Sequence, residues 1–133
     1  MNYVLGIGLI GWLSAILYPL YAYLKPPKVP DVDVKNVKLG SVAEFEKNSS
    51  KMFKFGNKPG ILIRTAEGEF KAFNATCTHL DCTVQYKKDE GLIWCACHNG
   101  KYDLNGRNIS GPPPAPLTPI NIVIQKEEIF VSK

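Results

Sequence analysis

The sequence predicts a small, mainly β domain that follows a single N-terminal transmembrane helix. Three observations support this prediction. No charged side chain occurs between Asn2 and Leu24. Short runs of apolar residues separated by turn residues fill the later part of the chain. All four cysteines and both histidines lie in two short patches of that later part. We therefore divide the chain into an anchor over residues 1–24, a tether over 25–35 and a head over 36–133.

The anchor prediction rests on length and composition. A transmembrane helix takes about 20 apolar residues, and this run reaches that length without a charge. Tyr18, Tyr21 and Tyr23 gather near one end, as aromatic residues do at membrane interfaces. A cleaved signal peptide is the alternative, but the run is long for one and has no basic start or clear cleavage site. We expect an uncleaved anchor.

The tether is rich in proline. Pro26, Pro27 and Pro30 stand within five residues. Proline cannot continue a helix and favours extended polyproline geometry. The segment is therefore predicted to be a semi-stiff hinge between the anchor and the head.

The head reads as a series of short strands that end in turns. Asn105-Gly106 is a strong turn dipeptide, and Ser41 is placed to cap a short helix that ends near Lys47. The strand-like runs cover residues 52–55, 60–65, 69–73, 92–94, 101–104, 107–109, 120–124 and 128–131. Many short strands with regular turns predict a small antiparallel barrel or sandwich.

The charge pattern excludes a nucleic-acid function. The chain has 133 residues and a net charge of +4, and its basic residues are spread among acidic ones. No basic run is interleaved with aromatic residues. We expect an ordinary solvated surface and no nucleic-acid partner.

Two boxes of potential metal ligands carry the chemistry. The first box, Cys77–Cys82, reads C-T-H-L-D-C, and the second, Cys95–His98, reads C-A-C-H. We take them to lie in a first ligand loop, about residues 76–83, and a second ligand loop, about 94–102. Two cysteines and two histidines suit a tetrahedral zinc ion, or a [2Fe–2S] cluster with two cysteines on one iron and two histidines on the other. Two plain disulfides are a third possibility, but they give the histidines no role.

The boxes resemble those of the Rieske iron–sulfur family. In that family the pattern C-x-H, followed by C-x-x-H with an extra cysteine beside each pair, holds a [2Fe–2S] cluster. The resemblance implies that Cys77 and Cys95 bind one iron and that His79 and His98 bind the other. It also implies a mainly β head in which two loops hold the cluster at one end.

Further residues carry the same resemblance. It implies that Cys82 and Cys97 form a disulfide between the two loops, as in respiratory and photosynthetic members. It implies that the Tyr102 hydroxyl donates to a cysteine sulfur and that Leu80 belongs to an apolar docking tip near the cluster. The proline segment, residues 111–119, resembles the proline loop that covers the cluster in these proteins.

The function implied by the resemblance is electron transfer in a quinol–cytochrome c-type oxidoreductase of the cytochrome bc or bf class. The subunit would take one electron from a quinol at a cytochrome b subunit, with proton coupling through His79 and His98, and pass it to a c-type haem. His98 is the expected hydrogen-bond partner of the quinol. The alternatives are a free-standing anchored Rieske electron carrier, the small subunit of another oxidase such as arsenite oxidase, and a structural zinc domain used for binding.

Three departures from the family pattern refine this expectation. Gly100 stands where the family usually has a serine, whose hydroxyl donates to the cluster. A lost donor lowers the potential, which favours a low-potential quinol such as menaquinol. Asp81 and Asn99 replace family glycines, and both residue types tolerate the left-handed backbone better than most others. The charge of Asp81 would lower the potential further unless solvent screens it.

The orientation of the head has conflicting signals. No Arg-Arg pair precedes the anchor, although the family usually carries a twin-arginine export signal. Lys25 and Lys28 follow the anchor, and the positive-inside rule read literally would keep the head in the cytoplasm. The expected disulfide requires an oxidising compartment. We follow the disulfide and the resemblance, and expect the head on the extracytoplasmic side.

Overall fold

The computed structural model of the chain describes residues 2–27 and 36–132. The chain separates into two compact units, Met1–Pro30 and Asp31–Lys133. The prolines at 26 and 27 are among the described residues, but most of the tether predicted over residues 25–35 lies outside them. The tether prediction therefore stays a prediction.

The first unit contains one helix, α1, over Asn2–Leu24. Within it, Gly6–Leu24 is long and apolar enough to cross a membrane, and its side chains are exposed. Pro19 lies in the last turns of α1 without ending it. A helix that is apolar all round needs an apolar environment, so α1 has the properties of a membrane anchor. The prediction of one N-terminal apolar helix is confirmed.

The second unit is the β-rich head. Its described residues form ten strands, which are β1 (Asn36–Ser41), β2 (Ser49–Phe55), β3 (Lys58–Arg64), β4 (Phe70–Asn74), β5 (Gln85–Lys87), β6 (Leu92–Cys95), β7 (Gly100–Tyr102), β8 (Asn108–Ser110), β9 (Asn121–Gln125) and β10 (Glu128–Ser132). They form three antiparallel sheets with the strand orders β1-β10-β9, β2-β3-β4 and β5-β6-β7-β8. The mainly antiparallel β fold predicted from the sequence is confirmed.

Strand β3 separates two apolar cores. Successive side chains of a strand point to opposite faces. Ile61 and Ile63 therefore pack into one core, which also contains the buried side chains of Cys77, Cys95 and Tyr102. Leu62, between them, belongs to the other core, which joins β3 to the sheet of β1, β9 and β10. The first core thus contains a buried cysteine from each of the two ligand loops.

Three short elements differ from the sequence prediction. The strands β1 and β5 were not predicted. The helix expected over residues 41–47 is instead a single 3₁₀ turn over Val42–Glu44, which Ser41 caps by accepting a hydrogen bond from the Ala43 amide at 3.3 Å. The turn ends at Phe45, whose backbone is extended with φ −102° and ψ 115°. The Arg64 guanidinium donates to the carbonyl oxygens of Val42 at 3.2 Å and Phe45 at 2.6 Å, and so holds this end against β3.

Candidate metal centre

The first ligand loop is a tight turn closed by backbone hydrogen bonds. It follows β4, and an isolated bridge between Thr76 and Thr83 closes its base. The Cys77 amide donates to the Cys82 carbonyl at 2.8 Å, and the Asp81 amide donates to the Cys77 carbonyl at 3.1 Å. Asp81 has φ 55°. The expectation that an aspartate can take the left-handed conformation here, in place of a glycine, is confirmed.

The second ligand loop is the turn that connects β6 to β7. Cys95 is the last residue of β6, and Gly100 is the first residue of β7. Asn99 has φ 56°, which confirms the same expectation for this position. Its side-chain oxygen accepts a 2.8 Å hydrogen bond from the indole nitrogen of Trp94. The residue after His98 is thus held by a side chain of β6.

A disulfide between Cys82 and Cys97 joins the two loops. It is the pairing that the Rieske resemblance implies. Cys77 and Cys95 are free thiols, each only 2% exposed. The alternative of two plain disulfides is therefore wrong. Two buried thiols remain for other chemistry.

The two free thiols influence each other and differ in acidity. Burial alone would raise the pKa of Cys77, but hydrogen bonds from the Tyr102 hydroxyl, from the backbone amides of His79 and Leu80 and from the other thiol outweigh it and lower that pKa. Burial raises the pKa of Cys95, against hydrogen bonds from its own loop's amides. The loops thus direct backbone N–H groups at both sulfurs, an arrangement suited to thiolates.

Tyr102 and Thr78 form a hydrogen-bonded group beside Cys77. The Tyr102 hydroxyl oxygen lies 3.3 Å from the Cys77 sulfur and accepts the Thr78 amide hydrogen at 3.1 Å. The Thr78 hydroxyl lies 3.2 Å from Tyr102 and donates to the Ala115 carbonyl at 2.7 Å. Because Thr78 has only one hydroxyl proton, the Tyr102 proton is left for the Cys77 sulfur or for the Thr78 oxygen.

The two histidines meet in space although one lies in each loop. Their ring centroids are 4.8 Å apart, at an interplanar angle of 85°. The Nδ1 atom of His79 is buried and has no hydrogen-bond partner among the described residues. A buried ring nitrogen without a partner carries a cost that a metal ion would remove. Nδ1 of His79 is therefore the candidate ligand atom of this residue.

The donor set fits a cluster with mixed sulfur and nitrogen ligands. Cys95 lies within 4.8 Å of both cysteines of the disulfide, measured between sulfur atoms, but a disulfide sulfur is not a thiolate and cannot replace one as a ligand. The available donors are the two buried thiols and the two imidazoles. This is the set that a Rieske [2Fe–2S] centre uses. The assignment of the four individual ligands stays a prediction.

The outer surface of the site exposes one large apolar side chain beside polar ones. The Leu80 side chain is 64% exposed, and His98 is also exposed. Asp81 is exposed too, so solvent screens its charge and its effect on a redox potential is small.

Two residues near the site, Thr78 and Trp94, were not singled out by the sequence interpretation. The Thr78 hydroxyl donates to the Ala115 carbonyl, and the Trp94 indole donates to Asn99. The proline segment over residues 111–119 was expected at the site from the resemblance, but its individual contacts through Pro113 and Ala115 were not. The position of Thr78, between two expected ligands, offered a signal in the sequence.

Comparisons with known proteins place this geometry in a family. The sequence model of the Rieske [2Fe-2S] domain matches residues 35–124. The cytochrome b6-f complex iron-sulfur subunit of Chlorobaculum thiosulfatiphilum is 34% identical over 128 residues, which span 96% of this chain and 70% of that protein. The corresponding subunit of Chlorobaculum tepidum is 32% identical, over 96% of this chain and 69% of that protein.

A solved structure shows the same fold. The crystal structure of the plasma membrane Rieske protein PetC3 from Synechocystis PCC 6803 superposes with a TM-score of 0.67 at 26% identity, covering 73% of this chain and 99% of that one. The family match spans most of the head, and the relatives match nearly the whole chain. The chain therefore belongs to the Rieske family, whose domain carries a [2Fe–2S] cluster.

Proposed function

We propose that the chain is the membrane-anchored Rieske subunit of a quinol-oxidising cytochrome complex, and that it transfers one electron at a time from a quinol to a c-type haem. The observation that carries this proposal is the similarity to two cytochrome b6-f complex iron-sulfur subunits over 96% of the chain, a length that includes the apolar helix as well as both boxes. The disulfide between the loops supports it, because oxygenase-type Rieske ferredoxins usually lack that pair.

Four side chains hold the cluster in this proposal. The thiolates of Cys77 and Cys95 bind one iron, and the imidazoles of His79 and His98 bind the other. The cluster supplies a one-electron centre whose potential falls within roughly −150 to +300 mV for histidine-ligated members. The unpartnered Nδ1 of His79 supports ligation through that atom, which leaves Nε2 for an outside partner.

The exposed histidine and leucine form the quinol-facing surface in this proposal. His98 is exposed and hydrogen-bonds the quinol oxygen through its outer ring nitrogen, while Leu80 supplies apolar contact with the cytochrome b subunit. An imidazole exchanges a proton near neutral pH, so His79 and His98 can take up a proton when the quinol gives up an electron. The subunit is thus the electron-transfer component of the enzyme complex.

The proposed quinol is a low-potential one such as menaquinol. Tyr102 provides one hydroxyl near a ligand sulfur, and the Thr78 hydroxyl donates to the Ala115 carbonyl instead of to the centre. Gly100 offers no hydroxyl at all. Fewer donors leave more negative charge on the centre and lower its potential. Because Asp81 is exposed, the low potential follows from the missing hydroxyl donors and not from the charge of Asp81.

The division into anchor, tether and head completes the proposal. Residues 1–24 anchor the subunit in the membrane, residues 25–35 form the hinge, and residues 36–133 form a head on the extracytoplasmic side. The head moves between the quinol site and the haem acceptor. The disulfide supports an oxidising compartment for the head.

Purification from membranes in mild detergent tests the proposal. We expect the chain to co-purify with a cytochrome b and a c-type cytochrome, and we expect menaquinol to reduce its centre with concomitant haem reduction. A red protein that purifies alone from intact membranes would favour the free-standing carrier or another oxidase. A colourless, zinc-loaded protein would overturn the electron-transfer function altogether.

A further inference from the structure

There is no space for a side chain at Gly100, although its backbone conformation would allow one. It is the first residue of β7, it is buried, and its φ lies outside the left-handed region in which side chains are strained. A Cβ atom added there would lie 2.6 Å from Cγ and 3.0 Å from Cδ of Pro113. Its next neighbour, Cβ of Cys95, would be at an ordinary 3.6 Å. The pyrrolidine ring of Pro113 therefore fills the position of a side chain at residue 100.

A second glycine brings the proline segment into this contact. Gly111 has φ 89°, a conformation that favours glycine. A Cβ atom at Gly111 would lie 2.8 Å from Cα of Gly100 and 2.9 Å from the carbonyl oxygen of Asn99. The backbone that leaves β8 thus passes directly against the residues that follow His98.

Further hydrogen bonds hold the proline segment in place. The Pro113 carbonyl accepts a 3.0 Å hydrogen bond from the side-chain amide of Asn108, and the Ala115 carbonyl accepts one from the Thr78 hydroxyl. The Leu117 amide donates to the Gly106 carbonyl at 2.8 Å. The segment therefore contacts the first ligand loop through Thr78 and the second through Gly100.

We propose that Gly100 and Pro113 form one positioning unit. Because residue 100 has no side chain, the ring of Pro113 packs in that space, and this contact holds the proline segment against both ligand loops. Loss of a hydroxyl donor cannot by itself account for glycine here, because alanine would lack that donor equally and keep a favourable strand conformation. The packing part of this proposal stands without the cluster. Only its effect on the potential rests on the function proposed above.

The test is a double-mutant cycle at the two positions in the full chain. The variants are Gly100→Ala, Gly100→Ser, Pro113→Ala and the two double substitutions. Pro113→Ala removes both ring atoms that crowd residue 100, and the next neighbour, Cβ of Cys95, is at an ordinary contact distance. Gly100→Ala is the matched control for Gly100→Ser, since the two differ by one hydroxyl. The measurements are the unfolding temperature in detergent and the midpoint potential of the bound centre.

The unfolding temperature reports the packing. Gly100→Ala and Gly100→Ser are both expected to lower it clearly in the presence of Pro113 and to lower it much less in the Pro113→Ala background. If a single variant at residue 100 fails to fold, recovery of folded protein in the double variant supports the same conclusion. Equal losses in both backgrounds, or failure to fold in both, would overturn the proposal.

The midpoint potential reports the position of the segment relative to the site. In the Pro113→Ala background, where residue 100 has room, Gly100→Ser is expected to give a higher potential than Gly100→Ala because its hydroxyl can donate. With Pro113 present, the serine is expected to give no such gain. An upward shift for Gly100→Ser with an unchanged unfolding temperature in the presence of Pro113 would contradict the proposal, since it would show that a side chain fits without displacing the proline.

Discussion

The hydroxyl of Tyr102 is the side-chain donor whose effect on the centre can be isolated by removing one atom. It is buried and lies 3.3 Å from the Cys77 sulfur. Tyr102→Phe removes this bond to Cys77, a proposed ligand that becomes more negative on reduction. Such a hydrogen bond is worth about 0.5–1.5 kcal/mol. For a one-electron reduction, a tenfold change in the equilibrium constant corresponds to about 59 mV, so the midpoint potential should fall by about 20–60 mV.

The matched control for this prediction is Tyr86→Phe. Tyr86 is half-buried in β5 and packs against the core that contains both thiols, but its hydroxyl donates to the Asn48 side chain at 2.6 Å and not to a thiol. Its loss is expected to cost stability but to leave the potential unchanged. Equal shifts in the two variants, or no shift for Tyr102→Phe in a redox titration, would contradict the role given to the Tyr102 hydroxyl.

Asn99 combines a left-handed backbone with a hydrogen bond to Trp94. Asn99→Gly keeps the backbone conformation but loses the bond, whereas Asn99→Ala loses the bond and meets the left-handed penalty of about 1–2 kcal/mol. We expect the alanine variant to be less stable than the glycine variant by about 1 kcal/mol. Chemical denaturation of the detergent-solubilised chain measures this difference.

Asn105→Ala serves as the control for an ordinary exposed asparagine. Asn105 does not have a positive φ. Its replacement should change stability by less than about 0.5 kcal/mol. If Asn99→Gly and Asn99→Ala turn out equally stable, the left-handed strain at residue 99 is not a determinant of the second ligand loop.

At the scale of elements, the disulfide is what joins the two ligand loops covalently. Cys82 and Cys97 are separated by 15 residues. Closing a loop of that size reduces the entropy of the unfolded chain by an amount worth about 3 kcal/mol. The variant with Cys82→Ser and Cys97→Ser should therefore unfold at a markedly lower temperature and lose its visible absorption faster on heating.

The complementary variant replaces Cys77 and Cys95 by serine. It should lose the centre completely while it keeps the disulfide, because these thiols are the free ones. Retention of the visible absorption in this variant, or unaltered thermal stability in the disulfide variant, would show that the roles of the two cysteine pairs are wrongly assigned.

Prediction from the sequence succeeded where the signal was local. The hairpin of β3 and β4 and the terminal hairpin of β9 and β10 were marked by apolar runs on either side of a turn, and the two boxes kept the expected ligands within a few residues. Strand β1 was missed because its pairing partner, β10, lies at the other end of the chain. The predicted helix after Ser41 ends after one turn, at an extended Phe45 whose carbonyl oxygen accepts a hydrogen bond from Arg64 on another strand.

The site shows the same division between local and distant information. The spacing of the boxes indicated the ligand types, and the glycine replacements at Asp81 and Asn99 indicated left-handed positions that the structure contains. The contacts of Thr78 with Ala115 and of Gly100 with Pro113 join segments far apart in the sequence. Contacts between such distant positions cannot be inferred from a single sequence.

At the scale of the whole molecule, the proposed function needs a head that moves relative to its anchor. Deletion of residues 28–31 shortens the proline-rich tether and should slow quinol-dependent turnover of the complex severalfold. The spectrum of the centre should stay unchanged, because these residues precede the head. Replacement of the same four residues by glycine and serine keeps the length and serves as the control. Full turnover after the deletion would refute a mobile head.

The central claim is that a two-iron cluster is bound by thiolates on one iron and imidazoles on the other. Metal and sulfide analysis of the purified chain, combined with electron paramagnetic resonance and nitrogen hyperfine spectroscopy of its reduced form, tests this claim most directly. We predict two irons and two labile sulfides per chain, with couplings from two histidine nitrogens that disappear when His79 and His98 are replaced. Zinc in place of iron, or an iron cluster without nitrogen couplings, would contradict it.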